Sequence, residues 1–396
     1  DPALMEKVVD FGKKATAAEV DRANRPDPSD PTKGMTEDER KRYDELPPDQ
    51  QQRYDDLHQE AARTQPAEQS VKELRRLLTS LNQGEFQKLL QVEDAVKDDP
   101  RAKADLHKLL FEGKLEQRSG DVSKTTLSYL DDLATQGGKT VPLEVDRKGL
   151  LTQLLRDMAD PMSMVQGAGN NDCAGSGAAF LMAATHPAEY ARIITQLAET
   201  GKANLTPSWA HNVFRAENVI LTVGSIDPRR PITQALFAKS FVEAAAGNTA
   251  AEQVIAKLDG INGEQYAAML NRGVGLNGRG WKPAYMPPEG DPNRKQAEAD
   301  ATTLLQGASE QKPVFALIGD HWVTVTKVEG DPPQVTYQDG SGQPQTRPLA
   351  EVLRELNTIC FQNGDVPASM NDSRNGRPGG GGDPTLGNGG GNRSGQ

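Results

Sequence analysis

Cys173 is the residue of this sequence whose surroundings best fit a nucleophile. It follows the glycine- and asparagine-rich stretch QGAGNND and precedes an apolar, helix-compatible run from Ala178 to Ala184. This order predicts that Cys173 lies in the first turn of a helix, where unpaired backbone N–H groups and the helix dipole favour an anion. A thiol in that position loses its proton more easily, and the thiolate is the nucleophilic form. The small residues that follow Cys173 also allow another backbone or a substrate to approach closely.

His321 and Asp339 are the residues best suited to activate that thiol, because a nucleophile needs a base and the base needs an orienting group. Val323 and Val325 alternate with threonines after His321, which is typical of a half-buried strand. A hairpin centred on Gly330 sets His321 directly opposite Asp339. Directly opposed residues share a face, with β-carbons about 4.5–5.5 Å apart. The prediction depends on register, since a slip of one residue would separate the two side chains.

The second cysteine, Cys360, has apolar neighbours in NTICFQNG, and we expect it to be a buried core thiol. Two cysteines cannot form a disulfide framework. The sequence has no CxxC motif and no Cys/His cluster, so it indicates neither structural zinc nor another cofactor.

These residues carry a resemblance to a known family. The motif DCAG entering a helix, followed by a distant hairpin with His-Trp-Val and a terminal Asp, resembles the papain-like cysteine peptidase superfamily. The stretch PVFALIGDHWVTVTKV is most similar to the branch of bacteriocin-leader peptidases and their relatives. The resemblance covers roughly residues 145–362 and is concentrated in these two motifs. It implies Cys173 as nucleophile, His321 as general base and acid, and Asp339 as orienter.

The resemblance does not identify the residue that supplies the side chain of the oxyanion hole. Members of the superfamily place a Gln a few residues before the Cys, and its amide joins the Cys backbone N–H in binding the oxyanion. Gln166 is the nearest Gln upstream, but Asn170 and Asn171 lie closer to Cys173. The sequence also lacks the Cys-Gly-Ser-Cys-Trp signature of the plant and lysosomal branch.

Hydrophobic patterning divides the chain into four parts. Residues 1–69 are acidic, poor in aromatic side chains and interrupted by proline, which predicts a largely disordered segment with short helices. Residues 70–140 carry four stripes of leucine at helical spacing and predict a small helical bundle. Residues 141–364 show helices first and strands last, which favours an α+β domain with an antiparallel sheet, here of the papain-like fold. Residues 365–396 are glycine-rich and predict a flexible tail.

Composition limits the partners that the protein can have. A balance of 45 basic against 56 acidic residues argues against a sequence-blind nucleic-acid binder. No run of 18 apolar residues exists, so we predict no membrane-spanning helix. The sequence opens at Asp1, which we interpret as a fragment or a mature form. The compartment stays unknown, although long disordered flanks are typical of a secreted or delivered bacterial effector.

The sequence thus predicts a papain-like hydrolase that cuts an amide bond of a protein or peptide substrate without a cofactor. Two alternatives remain open. The same Cys-His-Asp triad supports glutamine deamidation or transglutaminase-type transfer. A non-catalytic interaction protein is the second, with the papain-like domain retained and a partner protein bound at the N-terminal helical region.

Overall fold

The structure, a computed structural model, describes the chain in several stretches. They are residues 26–79, 84–118, 124–140, 143–164, 173–205, 219–222, 231–245, 266–267, 270, 281–319, 321–339, 343–362 and 367–370.

Within these stretches helices dominate the first half and strands the second. The helices are α1 Glu37–Asp44, α2 Pro48–Arg63, α3 Ala67–Thr79, α4 Glu85–Ala95, α5 Pro100–Phe111, α6 Thr126–Gln136, α7 Arg147–Ala159, α8 Cys173–Thr185, α9 Pro187–Thr200, α10 Ile232–Ala245, α11 Arg294–Gln306 and α12 Leu349–Glu355. The strands are β1 Lys202–Leu205, β2 Val219–Thr222, β3 Trp281–Tyr285, β4 Val314–Ile318, β5 His321–Glu329, β6 Gln334–Gln338, β7 Pro344–Pro348 and β8 Leu356–Gln362. The predicted α+β class is confirmed.

The main sheet has six antiparallel strands in the order β3-β8-β4-β5-β6-β7. Side chains alternate between its two faces, as pleated strands require. Phe315 and Trp322 belong to a core shared with α8 and the preceding helices. Their neighbours Ala316, Val323 and Val325 belong to a second core on the other face, with residues of α11 and α12. The sheet therefore separates two apolar layers.

The first core crosses the boundary that the sequence suggests at residue 140. Leu130 of α6 and Leu150 of α7 are both fully buried in it. Helices α5 and α6 each pack against α7, and α6 also packs against α9. The predicted four-helix region and the helices that follow it consequently share one apolar interior in the described residues.

The prediction of disorder over residues 1–69 is wrong for residues 26–69. Helix α1 begins with a capping box, in which Thr36 and Glu39 satisfy each other's backbone N–H groups. Tyr54 of α2 is fully buried, with its ring 5.4 Å from that of Tyr43 and 5.9 Å from that of Phe86. Residues 1–25 lie outside the described part of the chain.

A polar cluster also fixes α2 to the later helices. The buried His107 of α5 has Nδ1 2.8 Å from Glu60 of α2 and Nε2 3.0 Å from Glu93 of α4. Arg53 of α2 makes a salt bridge with the same Glu93. Charge-assisted hydrogen bonds of this kind compensate for burying the charged groups.

The predicted tail begins too early. Met370 is buried in the second core, and the hydroxyl of Ser369 hydrogen-bonds to Asp300 of α11. Residues 371–396 lie outside the described part of the chain.

Asp157 forms a buried polar centre where three helices meet. Its carboxyl group accepts hydrogen bonds from Tyr190 of α9 at 2.9 Å, from the Thr233 hydroxyl of α10 at 2.5 Å and from the Gln234 amide at 2.7 Å. Because Thr233 and Gln234 lie in the first turn of α10, these bonds fix the start of that helix. Burial raises the pKa of Asp157 to about 6 against the opposing effect of the three hydrogen bonds.

This raised pKa predicts a stability that falls as pH rises from about 4 to 6. Over that range the folded state retains the Asp157 proton while the unfolded chain, with an ordinary value of 3.8, has lost it. The contribution to the free energy of unfolding should fall by roughly 3 kcal/mol across the range. Asp157→Asn should flatten the profile, since the hydroxyls of Thr233 and Tyr190 can accept from an amide. Urea unfolding at pH 4–7 measures this, with the exposed Asp49→Asn as control; parallel profiles for Asp157→Asn and wild type would contradict it.

Candidate active site

Helix α8 begins at Cys173, as the sequence predicts. The side chain of Cys173 is partly buried and packs against the first core. A thiol in the first helical turn lies near backbone N–H groups that have no partner within the helix, and this favours the thiolate. The three candidate oxyanion-hole residues, Gln166, Asn170 and Asn171, lie outside the described residues.

The small residues after Cys173 permit close packing of α8, which confirms that part of the sequence analysis. A side chain on Gly175 would collide with the backbone carbonyl of Ala238 in α10. One on Gly177 would collide with the Tyr266 hydroxyl and would lie 3.1 Å from both Phe315 and Thr324. Glycine therefore permits a close approach at both positions, and α8 packs between α10 and the sheet.

His321 and Asp339 are brought together, through the backbone of Asp339. The Nε2 atom of His321 lies 2.9 Å from the Asp339 carbonyl oxygen. A carbonyl oxygen only accepts, so Nε2 must donate and carry the ring proton. The neutral imidazole then has Nδ1 as its proton acceptor, which is the state that a general base needs.

The register predicted for the hairpin is wrong. A hairpin centred on Gly330 would pair Val325 with Val335, but Val325 pairs with Tyr337, and Thr324 pairs with Gln338. Two causes act: the connecting loop spans residues 330–333, and the pairing shifts by one residue at Thr326.

The error in register does not change the face of the sheet to which each side chain is assigned. The pairing near Thr324 differs from the expected one by two residues, and an even shift keeps each side chain on its original side. Continuing the ladder one step beyond Gln338 sets Asp339 opposite Val323, two residues from His321. On this extrapolation His321 and Asp339 are assigned to one face as diagonal neighbours instead of directly opposed residues.

The alternation of β5 also decides which side chains face the helix of Cys173. Trp322 belongs to the first core, and Thr324 approaches Gly177 of α8. Val323 lies in the second core on the opposite face. His321 is the first residue of β5 and shares the parity of Val323. The regular alternation therefore assigns His321 to the face turned away from α8, at the end of the strand.

Gln338 is a residue of this region that the sequence analysis missed. It is buried, and its side-chain amide donates to the backbone carbonyl of Met164, the last described residue before Cys173. Its strand partner Thr324 faces α8, so Gln338 lies on the same face. The bond attaches the chain that leads to Cys173 to the sheet. In the sequence, the only indication of this is that Gln338 directly follows Tyr337, so the two side chains point to opposite faces of β6.

Aromatic side chains line the same face of the sheet. The ring of Tyr266 lies 4.6 Å from that of Trp322 and 5.1 Å from that of Phe315, and the ring of Trp281 also lies 5.1 Å from that of Phe315. Cys360 pairs with Phe315 across β8 and β4 and is fully buried, which confirms its predicted role as a core thiol. Burial raises the pKa of the Cys360 thiol well above its usual range.

Among the residues that the structure describes, no group of three or more His, Cys, Asp or Glu side chains is arranged to hold a metal ion. None of the described helices combines the length and the apolar character needed to cross a bilayer.

Comparisons of the chain with protein-family models, with curated proteins and with solved structures found no match.

Proposed function

We propose that this protein is a papain-like cysteine hydrolase that cuts an amide bond of a protein or peptide substrate. The observation that supports this most is the hydrogen bond from His321 Nε2 to the carbonyl oxygen of Asp339. It holds the imidazole in the tautomer that a general base requires. Cys173 at the start of α8 supplies a thiol in an environment that favours ionisation.

The reaction would proceed through an acyl-enzyme. The imidazole takes the thiol proton, and the Cys173 thiolate attacks the carbonyl carbon of the scissile amide. The imidazolium of His321 then protonates the departing nitrogen, so that a thioester and a free amine result. Water, deprotonated by the same imidazole, attacks the thioester, releases the carboxylic acid and regenerates the thiol.

The proposal requires the imidazole to reach the sulfur around the end of β5. Strand alternation turns Trp322 and Thr324 towards α8, and His321 has the opposite parity. His321 is the terminal residue of its strand and is only half-buried, which leaves part of its side chain accessible at the end of β5.

That parity also favours a second candidate function, a non-catalytic interaction protein. In that case the bond between His321 and Asp339 closes the end of the hairpin, and Cys173 contributes to packing.

Deamidation or transglutaminase-type transfer shares the acyl-enzyme with hydrolysis. Release of ammonia distinguishes those two reactions from peptide cleavage.

Active-site labelling separates the hydrolase from the interaction protein. A peptidyl vinyl sulfone should modify Cys173 near pH 6 faster in the folded protein than in urea, because only the fold stabilises the thiolate. Mass spectrometry locates the label, and the buried Cys360 should stay unmodified in the folded state. Labelling of Cys173 no faster in the folded than in the unfolded chain would exclude the hydrolase.

A further inference from the structure

The hydroxyl of Tyr266 is a buried donor beside the helix of Cys173. Tyr266 is fully buried, and its hydroxyl has no hydrogen-bond partner among the described residues. Leaving a buried hydroxyl without a partner is costly, commonly about 1–3 kcal/mol. This cost is removed in any state of the protein that brings a hydrogen-bond acceptor to the hydroxyl.

The direction of the hydroxyl is given by Gly177. A side chain at Gly177 would collide with the Tyr266 oxygen, so this oxygen lies against the backbone of α8 at Gly177. Gly177 follows Cys173 by four residues. Residues four apart occupy the same face of a helix, with β-carbons about 5–6 Å apart. The Tyr266 hydroxyl and the Cys173 side chain therefore lie along one face of α8, one turn apart.

The rest of the Tyr266 ring is fixed by packing. Trp322 packs edge-on against the ring, and Phe315 packs against it at a tilt. Burial, followed by the Cys360 and Cys173 thiols, raises the pKa of Tyr266 well above its usual value. Tyr266 is thus a neutral donor near neutral pH, and the two sulfur atoms act on it electrostatically.

Of these two sulfurs, Cys173 is the better acceptor. Cys360 is fully buried and its raised pKa keeps it a neutral thiol, which accepts only weakly. Cys173 is partly exposed at a helix start, where the thiolate is favoured. Hydrogen bonds to ionised acceptors are roughly twice as strong as those between neutral groups.

We propose that the Tyr266 hydroxyl, which has no partner within the described part of the chain, donates a hydrogen bond to the sulfur of Cys173 when that thiol ionises and its side chain turns towards the hydroxyl, and so stabilises the thiolate. This inference rests on the proposed function, since it assigns a further residue to the same nucleophile. Gly177 is the second requirement, because any side chain there would displace the hydroxyl.

The test is the pH dependence of Cys173 alkylation by iodoacetamide in the full chain carrying Cys360→Ala, which leaves one thiol. Tyr266→Phe should raise the pKa of Cys173 by about one unit, which slows alkylation about tenfold at pH values below both pKa values. The ultraviolet absorbance of the thiolate, followed against pH, should show the same shift. The matched control is Tyr190→Phe, which removes another fully buried hydroxyl, bonded to Asp157 instead of facing a thiol.

A second variant keeps the inference falsifiable if Tyr266→Phe disturbs packing. Gly177→Ala should also raise the Cys173 pKa, because its methyl group displaces the hydroxyl. Combined with Tyr266→Phe it should add no further rise, since the oxygen is already gone. A lowered wild-type pKa that neither variant changes would overturn the role of Tyr266 and leave the hydrolase intact. An ordinary wild-type value of about 8.5 would overturn both.

Discussion

Replacing Cys173 by Ala should lower turnover by several orders of magnitude and leave the fold intact. The large loss follows because no other group in the proposed mechanism can form the acyl-enzyme, and removal of a nucleophile forfeits the entire covalent pathway. The fold should persist because Cys173 is partly exposed at a helix start and Ala is a good helix former. Initial rates on a peptide selected from a library measure the first effect, and urea unfolding measures the second.

Cys360→Ala is the matched control, because it removes the only other thiol. Turnover should stay near the wild-type level, while the free energy of unfolding falls modestly because a small buried cavity forms. Wild-type turnover in Cys173→Ala would show that the nucleophile assignment is wrong. A comparable loss in both variants would point to a structural cause.

The hairpin shows what local sequence patterns can and cannot fix. Alternating valines correctly locate β5, and the two-residue shift near Thr324 leaves the predicted parity of His321 and Asp339 unchanged. The register of the hairpin was predicted wrongly for two reasons. Pro332 and Pro333 have no N–H group for the ladder and lie in the connecting loop, which moves its centre beyond Gly330. The irregularity in strand pairing at Thr326 then moves the register back by one residue.

The N-terminal helices show the limit of composition as a guide to disorder. A window over residues 26–69 contains little apolar surface, yet Tyr54 is fully buried. The groups that cover it include Phe86, which comes from a helix outside that window. His107 and Glu93 likewise bind charged groups of α2 from later helices. The ordering of this segment depends on tertiary contacts that its own composition does not reveal.

The same reasoning explains why Tyr266 and Gln338 were missed at the candidate site. Neither belongs to a motif, and each contacts a part of the chain that is distant in sequence. Gln338 contacts Met164, and Tyr266 contacts Gly177. Cys173 and His321, in contrast, were recognisable because a loop-to-helix transition and a strand start leave local signals.

His321→Ala should reduce turnover as severely as Cys173→Ala, whereas Asp339→Ala should cost much less. The imidazole both accepts the thiol proton and protonates the leaving nitrogen, so its loss removes two steps. The bond that orients it, however, ends on the backbone carbonyl of Asp339, and this oxygen remains when the side chain is removed. Asp339→Asn should be milder still, because its amide keeps the size of the side chain.

The pH dependence of Cys173 alkylation in these variants separates the roles of the two residues. In His321→Ala the thiol pKa should move towards its reference of about 8.5, because the imidazolium that stabilises the thiolate is gone. In Asp339→Ala the pKa should stay closer to the wild-type value. Equal effects of His321→Ala and Asp339→Ala would show that the carboxylate, rather than the carbonyl, controls the imidazole. A thiol pKa unchanged by His321→Ala would mean that the parity of β5 keeps His321 from the sulfur, and the interaction protein would then be the better description.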